Sequence, residues 1–228
     1  ILREAYYIAS TGRPGPVLVD IPRDIQLEEI PYDEFKKLYE QEFELEGYNP
    51  VYEGHKGQIK TAIKMIKDSK KPLIIAGAGI LKGHAYDELK EFVDKTNIPV
   101  AMTLLGLGSF PANHELALGM IGMHGTTYAN YAANEADLVI AAGMRFDDRV
   151  TGNPQKFLPN AKIIHIDIDP AEIGKNKLID VPIVGDLKNV LAELNQKVPK
   201  LSHTKWLDEV AKLKKKYSLT FRKTEEDV

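Results

Sequence analysis

The sequence predicts an α/β fold, a doubly wound and mostly parallel sheet with helices packed on both faces. Two observations predict it. From residue 55 onward, short apolar runs alternate with segments in which apolar residues recur every three or four positions. Such runs are typical of strands buried on both sides, and the three-to-four spacing is typical of amphipathic helices. Regular alternation of the two favours helices that connect neighbouring parallel strands.

The composition excludes several classes of protein. The chain has 228 residues, of which 43% are hydrophobic and 28% charged, enough for one sizeable core. The absence of cysteine excludes disulfides, cysteine zinc sites and thiol nucleophiles, and favours a reducing compartment, the cytoplasm. A net charge of -3 gives no electrostatic reason to expect nucleic acid as a partner. No apolar run reaches the roughly 20 residues of a membrane-spanning helix.

The first 54 residues are organised differently from the rest. Residues 1–22 predict a helix, a turn at "TGRPGP" and a strand at "VLVDIP". This unit is too small to bury both faces of a sheet, so we expect it to be the end of another domain. Residues 23–54 contain scattered charges and no sustained periodicity, and they predict an extended linker.

The remaining elements follow from periodicity. Five strands are predicted, at "PLIIAGAG", "IPVAMT", "LVIAAG", "KIIHIDID" and "VPIVGD". Residues 201–228 predict a final helix followed by a polar linker. The apolar stripes that predict helices are Ile59, Ala62, Ile63 and Ile66; Tyr86, Leu89, Phe92 and Val93; Leu187, Val190, Leu191, Leu194 and Val198; and Trp206, Val210, Leu213 and Tyr217.

The residues that follow the strands predict a nucleotide site, because ligands of parallel sheets lie beyond the carboxyl ends of the strands. Glycines there let the backbone approach a pyrophosphate, an arginine adds a charged donor fork, and an aspartate accepts hydrogen bonds from a ribose diol. The strand-end residues are Gly77, Gly79 and Gly83; Thr103, Gly106 and Gly108; Gly143, Arg145 and Arg149; Asp167 and Asp169; and Gly185 and Asp186.

Each signal also has a plainer explanation. Gly77 and Gly79 are equally consistent with ordinary turn glycines, Asp148 with a solvated or capping acid, and Met123 with core packing. "GAGILKG" is one residue longer than the dinucleotide fingerprint, and Asp167 lies far beyond the expected spacing, which argues against a standard NAD dehydrogenase. The six histidines have no metal-ligand spacing, although His124 lies in a glycine-flanked turn that precedes a helix.

Four longer segments resemble a known family. "TGRPGPVLVDIPRDIQ", "LLGLGSFPANHELALGMIGMHGTTYANYA", "GMRFDDRVTGN" and "IIHIDIDPAEIGKNK" are similar to the large, catalytic subunit of acetolactate synthase, over residues 1–198. The resemblance implies an enzyme that uses thiamine diphosphate and Mg²⁺ to decarboxylate pyruvate and join the remaining two carbons to a second 2-oxo acid. That reaction belongs to branched-chain amino-acid biosynthesis, which leads to isoleucine and valine.

The resemblance also implies a division into domains. Residues 1–22 would end the amino-terminal, pyrimidine-binding domain, and 23–54 would be a linker. Residues 55–200 would form the Rossmann-like central domain, a six-stranded parallel sheet that binds FAD, and 201–228 would lead to a carboxy-terminal domain. The family's catalytic glutamate and its Mg²⁺-binding motif have no counterpart in this sequence, since "VGDLKN" is not that motif. We therefore expect no catalytic or metal-binding residue here, and a chain that is inactive alone.

The resemblance assigns the FAD contacts residue by residue. The segment from Gly143 would wrap the cofactor, with Arg145 at the phosphate or ribitol and Arg149 near the flavin. Asp167 would accept from the ribose, and Met144 and Gly174 depart from the commoner residues at their positions. The expected FAD-binding residues are Gly77, Ala78, Gly79, Thr103, Leu104, Gly122, Met123, His124, Gly125, Gly143, Arg145, Asp147, Arg149, Asp167, Ile168, Gly185 and Asp186.

The resemblance further implies a homo-oligomer, dimer or tetramer, with a separate small regulatory subunit. The sequence alone leaves two alternatives open. One is the central domain of another thiamine diphosphate-dependent carboligase or decarboxylase. The other is a free-standing nucleotide-binding or NAD-dependent protein, because the same broad fold serves many functions.

Overall fold

A computed structural model describes residues 1–40 and 45–220. The chain divides into two compact units, Ile1–Pro50 and Val51–Val228.

The described residues of the first unit include the helices α1 (Leu2–Ser10), α2 (Arg23–Gln26) and α3 (Tyr32–Glu40). Residues 17–22, predicted as a strand, have no regular secondary structure, because a strand needs a paired neighbour and no other strand is described in this unit. The prediction of an extended linker from residue 23 was wrong at α2 and α3. Pro31 suggested a break in structure but stands at the start of α3, where its carbonyl accepts hydrogen bonds from Glu34 and Phe35.

The second unit contains a six-stranded parallel sheet, which confirms the predicted fold class. The strand order is β3-β2-β1-β4-β5-β6. Every residue of β1 and β4 is buried, because helices cover both faces of the sheet. The strands are β1 (Pro72–Ala76), β2 (Val100–Met102), β3 (Ala117–Met120), β4 (Leu138–Ala142), β5 (Lys162–Asp167) and β6 (Val181–Val184).

Helices cover both faces of the sheet and form the two outer layers of this unit. Alternate residues of each strand point to opposite faces, so Ile74 and Ile140 join one hydrophobic cluster while Leu73 and Val139 join the other. None of the helices within 1–40 and 45–220 combines the length and apolar character needed to cross a membrane. The helices are α4 (Lys56–Asp68), α5 (Ala78–Lys82), α6 (Tyr86–Thr96), α7 (Thr127–Glu135), α8 (Asp148–Thr151), α9 (Leu187–Lys197) and α10 (Thr204–Lys216).

Helix α10 packs on the sheet as part of the second unit. Trp206 is buried, and its Nε1 donates a hydrogen bond to the Pro72 carbonyl at 2.9 Å. Lys71 lies over the indole ring, 5.2 Å from its centroid. Helix α10 is therefore anchored at the amino end of β1.

Candidate nucleotide-binding site

The strand order creates a crevice at one place in the sheet. In the order β3-β2-β1-β4-β5-β6, the connections run to one side from β1 and to the other from β4, so the helices that follow these two neighbouring strands lie on opposite faces. Ligands of doubly wound sheets bind outside the carboxyl ends of the strands at such a switch point. Here the segments at that point are Gly77–Gly79, after β1, and 143–147, after β4, which we term the β4 exit loop.

Glycines allow these two segments to pack directly against each other. The Gly77 amide donates to the Ala142 carbonyl at 2.9 Å, and the Gly79 amide donates to the Gly143 carbonyl at 3.1 Å. A Cβ on Gly77 would lie 2.1 Å from the Gly143 oxygen, and one on Gly79 would lie 2.6 Å from the Gly143 Cα. Gly143 itself has a φ of +64°. These glycines are thus required by contact between two turns of the protein, a reason that the sequence did not reveal.

The β4 exit loop has a fixed conformation. Phe146 has a φ of 52°, which is uncommon for a bulky residue, and its side chain is buried. Its ring meets the His165 ring edge-on, with centroids 5.1 Å apart. The His165 Nε2 lies 2.8 Å from the Met144 carbonyl oxygen. From the solvent side, Asn176 Nδ2 donates to the Arg145 carbonyl at 3.3 Å and to the Phe146 carbonyl at 3.2 Å.

The four charges around Phe146 have different roles. Asp147 is the N-cap of α8, because its Oδ1 accepts from the amides of Arg149 at 3.1 Å and Val150 at 3.3 Å. Asp148 and Arg149 are exposed, and Arg149 Nε lies 3.8 Å from Asp148 Oδ2. The Arg145 side chain is 50% exposed, and its Nη2 lies 4.0 Å from Asp147 Oδ2. Exposed pairs of this kind are weak, so both guanidinium groups can exchange their partner for a ligand anion.

Asp167 lies buried at the carboxyl end of β5, next to β4. Its Oδ1 accepts from the Asp169 amide at 3.0 Å, and its Oδ2 lies 3.9 Å from His165 Nε2. Ile168 follows it and is partly exposed. Burial lowers the pKa of His165, while the Met144 carbonyl and Glu172 act in the opposite direction. The imidazole is therefore neutral near pH 7, and a neutral imidazole that donates from Nε2 leaves Nδ1 bare.

Two predicted residues at the end of β6 make internal contacts. Asp186 is the N-cap of α9, accepting from the Lys188 amide at 2.9 Å and the Asn189 amide at 3.3 Å. A Cβ on Gly185 would lie 3.1 Å from the Gly54 amide nitrogen. The Asp186 amide donates to the Tyr52 carbonyl at 2.9 Å, so residues 52–54 cover this strand end.

The segment after β2 presents apolar side chains to solvent. The Thr103 amide donates to the Ala76 carbonyl at 2.9 Å, and its Oγ1 accepts from the Gly106 amide at 3.2 Å. These contacts hold a short 3₁₀ helix, Leu104–Gly106, beside the end of β1. Leu104 is 66% exposed.

The turn after β3, residues 122–125, contacts α8. The Met123 amide donates to the Arg149 carbonyl at 3.0 Å, and a Cβ on Gly122 would lie 2.6 Å from the same oxygen. Met123 is 60% exposed, so its side chain is not a core residue. His124 is exposed, and Gly125 packs against the Met120 carbonyl, 2.5 Å from where its Cβ would stand.

The structure therefore brings most of the predicted residues to one edge of the sheet. Gly77, Ala78 and Gly79 lie beside the β4 exit loop, the turn after β3 contacts α8, and Asp167 adjoins the exit loop through His165. Gly185 and Asp186 are engaged with residues 52–54 and α9. Within the described ranges, no group of three or more histidine, aspartate or glutamate side chains is arranged to hold a metal ion.

The two departures from the family pattern have different surroundings. The Met144 side chain is buried in the hydrophobic cluster that includes residues of α7 and α10. Gly174 has a φ of +73°, and a Cβ there would meet open space. The residues that sequence reasoning missed are His165 and Asn176, which hold the β4 exit loop from the sheet side and the solvent side.

Comparisons with known proteins agree with the fold of the second unit. Residues 59–194 match the family described as thiamine pyrophosphate enzyme, central domain. The chain is 49% identical over 227 residues to a probable acetolactate synthase large subunit of Methanococcus aeolicus, covering 94% of this chain and 38% of the relative. It is 48% identical to the acetolactate synthase large subunit of Corynebacterium glutamicum, over 95% of this chain and 34% of the relative.

A third relative is the acetolactate synthase isozyme 3 large subunit of Escherichia coli, 44% identical over 92% of this chain and 36% of the relative. The chain thus spans little more than a third of the length of the curated relatives that it matches. The parallel sheet, the glycine-lined switch point and the family match together lead to one assignment. The chain belongs to the thiamine pyrophosphate enzyme family, whose central domain it contains, and its relatives are acetolactate synthase large subunits.

Proposed function

We propose that this chain is part of an acetolactate synthase large subunit and that its second unit binds FAD along the carboxyl edge of the sheet. One observation carries the proposal: three kinds of chemistry lie side by side on that edge. They are exposed guanidinium groups after β4, a buried carboxylate after β5, and exposed apolar side chains after β2 and β3. FAD requires the same three, because it combines a pyrophosphate, a ribose diol and a broad apolar ring.

Each group has a proposed role. Arg145 pairs with a pyrophosphate or ribitol oxygen, since a planar guanidinium matches phosphate geometry. Asp167 accepts hydrogen bonds from the ribose hydroxyls, and its location in a nearly dry position strengthens such bonds. Leu104 and Met123 supply apolar contact for the flavin, with Arg149 at its rim. The glycines between β1 and β4 act indirectly, by letting the two turns approach.

For the whole protein, we propose the condensation of pyruvate with a second 2-oxo acid, either pyruvate or 2-oxobutyrate. Thiamine diphosphate, held with Mg²⁺ by parts of the protein that this sequence lacks, would supply the chemistry of decarboxylation and carbon–carbon bond formation. We also propose that the whole protein is a homo-oligomer that binds a small regulatory subunit and lies in the cytoplasm. FAD has a structural role in this scheme, since the net reaction is not a redox reaction.

Calorimetric titration of this chain with FAD tests the proposal, with ADP and NAD as comparison ligands. We expect FAD to bind with a Kd of about 1 μM or tighter, well ahead of NAD. The Arg145→Gln variant should bind FAD more weakly. The control is Lys67→Gln, which removes one positive charge from the last turn of α4, outside the strand ends. Preference for NAD, or no FAD binding by the folded chain, would overturn the FAD assignment.

A further inference from the structure

The conformation of the β4 exit loop calls for a cause outside the loop itself. Phe146 has a positive φ, which a bulky residue adopts only when its surroundings impose it. The same loop carries Arg145, and Asp147 of the loop begins α8. Whatever fixes Phe146 therefore also fixes the position of the guanidinium group.

His165 makes two contacts with this loop from the side of the sheet. Its Nε2 is 2.8 Å from the Met144 carbonyl oxygen, and its ring packs edge-on against Phe146 at an interplanar angle of 89°. The ring has no exposed surface. The two residues on either side of Arg145 are thus both held by one imidazole, which belongs to the neighbouring strand β5.

The Nδ1 atom of the same ring lacks a partner in the described part of the chain, and this supports a specific role for Nε2. His165 Nδ1 is buried and has no hydrogen-bond partner among the described residues. A buried polar atom without a partner destabilises a fold, and an apolar side chain of similar size would fill this space without that cost. What an apolar side chain does not supply is the donor to the Met144 carbonyl.

We propose that His165 is a positioning residue for cofactor binding: the Nε2–H group and ring edge of His165 hold Met144 and Phe146, and thereby orient Arg145 toward the ligand. This inference rests on the proposed FAD site. Asn176 assists from the solvent side through the carbonyls of Arg145 and Phe146.

A matched pair of variants separates the effect of the Nε2–H donor of His165 from the effect of its side-chain volume. His165→Gln places an amide N–H at the position of the imidazole Nε2, whereas His165→Met has a similar length and no donor. Ile163→Val is the control for packing, because Ile163 is buried on the same strand and the same face, two residues away.

Two measurements on each variant test the positioning role. We expect His165→Met to raise the Kd for FAD about tenfold or more, with His165→Gln recovering most of the loss and Ile163→Val close to the parent. Hydrogen exchange at the amides of Val150 and Thr151, in α8, should accelerate in the methionine variant, while that of Ile74, in β1, should not. Equal behaviour of the methionine and glutamine variants would overturn the positioning role.

The two proposals fail in distinguishable ways. If the parent chain binds no FAD, the proposed function fails, and the exchange comparison alone decides whether His165 positions the loop. If the methionine variant does not fold, nitrogen chemical shifts of the His165 ring in the parent chain provide the test. A neutral ring protonated on Nε2 is expected near pH 7, and a ring protonated on Nδ1 would overturn the inference.

Discussion

At the scale of single residues, Asp167 gives the sharpest test of ligand chemistry. Its carboxylate is buried at the end of β5, where a ribose hydroxyl would donate a charge-assisted hydrogen bond. We expect Asp167→Ala to weaken FAD binding by about ten- to hundredfold in a calorimetric titration. Asp148→Ala removes the same charge from an exposed position on the same edge and should leave the Kd nearly unchanged. An unchanged Kd for Asp167→Ala would remove this residue from the site.

Two buried histidines predict how stability depends on pH. Burial lowers the pKa values of His165 and His203 from their ordinary value of 6.5, and Asp137 partly opposes this effect at His203. As the pH falls, these histidines are protonated in the unfolded chain before they are protonated in the folded chain. Their titration therefore lowers the free energy of unfolding below about pH 6.5 and leaves it unchanged above that pH.

Below pH 6.5, we expect each histidine to lower the free energy of unfolding by at most about 1.4 kcal/mol per pH unit, which is the slope of stability against pH. Urea unfolding at pH 7.5, 6.5 and 5.5 measures it. Because Gln does not titrate, His165→Gln should reduce the slope, whereas Ile163→Val should lower stability equally at all three pH values. A slope that is the same in the parent and the glutamine variant would contradict a lowered pKa at His165.

At the scale of elements, the contact between the turns after β1 and β4 determines the shape of the site. Gly143 combines a φ of +64° with a space in which a Cβ would lie 2.6 Å from the Gly79 Cα. We expect Gly143→Ala to cost about 2–4 kcal/mol of unfolding free energy, from backbone strain and overpacking together. Gly174→Ala is the control, because Gly174 has a φ of +73° and no atom within 4 Å of its Cβ position.

Gly174→Ala should cost only the backbone contribution, about 1–2 kcal/mol. Urea denaturation followed by circular dichroism compares the two variants directly. Equal losses would mean that the crowding between the two turns has little energetic weight. A larger loss at Gly143 would mean that the shape of the switch point depends on direct backbone contact.

The sequence predicted five strands directly because a parallel strand covered on both faces is written as an uninterrupted apolar run. Strand β3, Ala117–Met120, escaped this pattern, since it is short and contains Gly119 at a φ of +70°. Helix α3 escaped because Pro31 suggested a break where a helix begins. The six-stranded count came only from the resemblance.

The candidate site was predictable in part for the same kind of reason. Strand-end glycines and charges are local signals, and the structure brings most of them to one edge. The roles of His165 and Asn176 depend on partners 21 and 30 residues away along the chain, so no local pattern encodes them. Their contribution became visible only with the three-dimensional contacts.

At the scale of the whole molecule, the chain covers 34–38% of the lengths of two of its acetolactate synthase relatives. We expect it to form no acetolactate from pyruvate when supplied with thiamine diphosphate, Mg²⁺ and FAD. The full-length Escherichia coli isozyme 3 large subunit, assayed colorimetrically alongside, is the positive control. Acetolactate formed by this chain above background would contradict the expectation that catalysis requires other parts of the protein.

Trp206 gives the molecule a built-in optical probe. It is the single tryptophan of the chain, and it is fixed at the amino end of β1, opposite the proposed cofactor edge. The five residues of β1 separate the two ends by roughly 17 Å. A flavin at that distance accepts excitation energy from an indole, so FAD binding should quench the tryptophan emission without shifting its wavelength. Unfolding would instead move the emission to the red, which makes ligand binding and loss of structure separable in one spectrum.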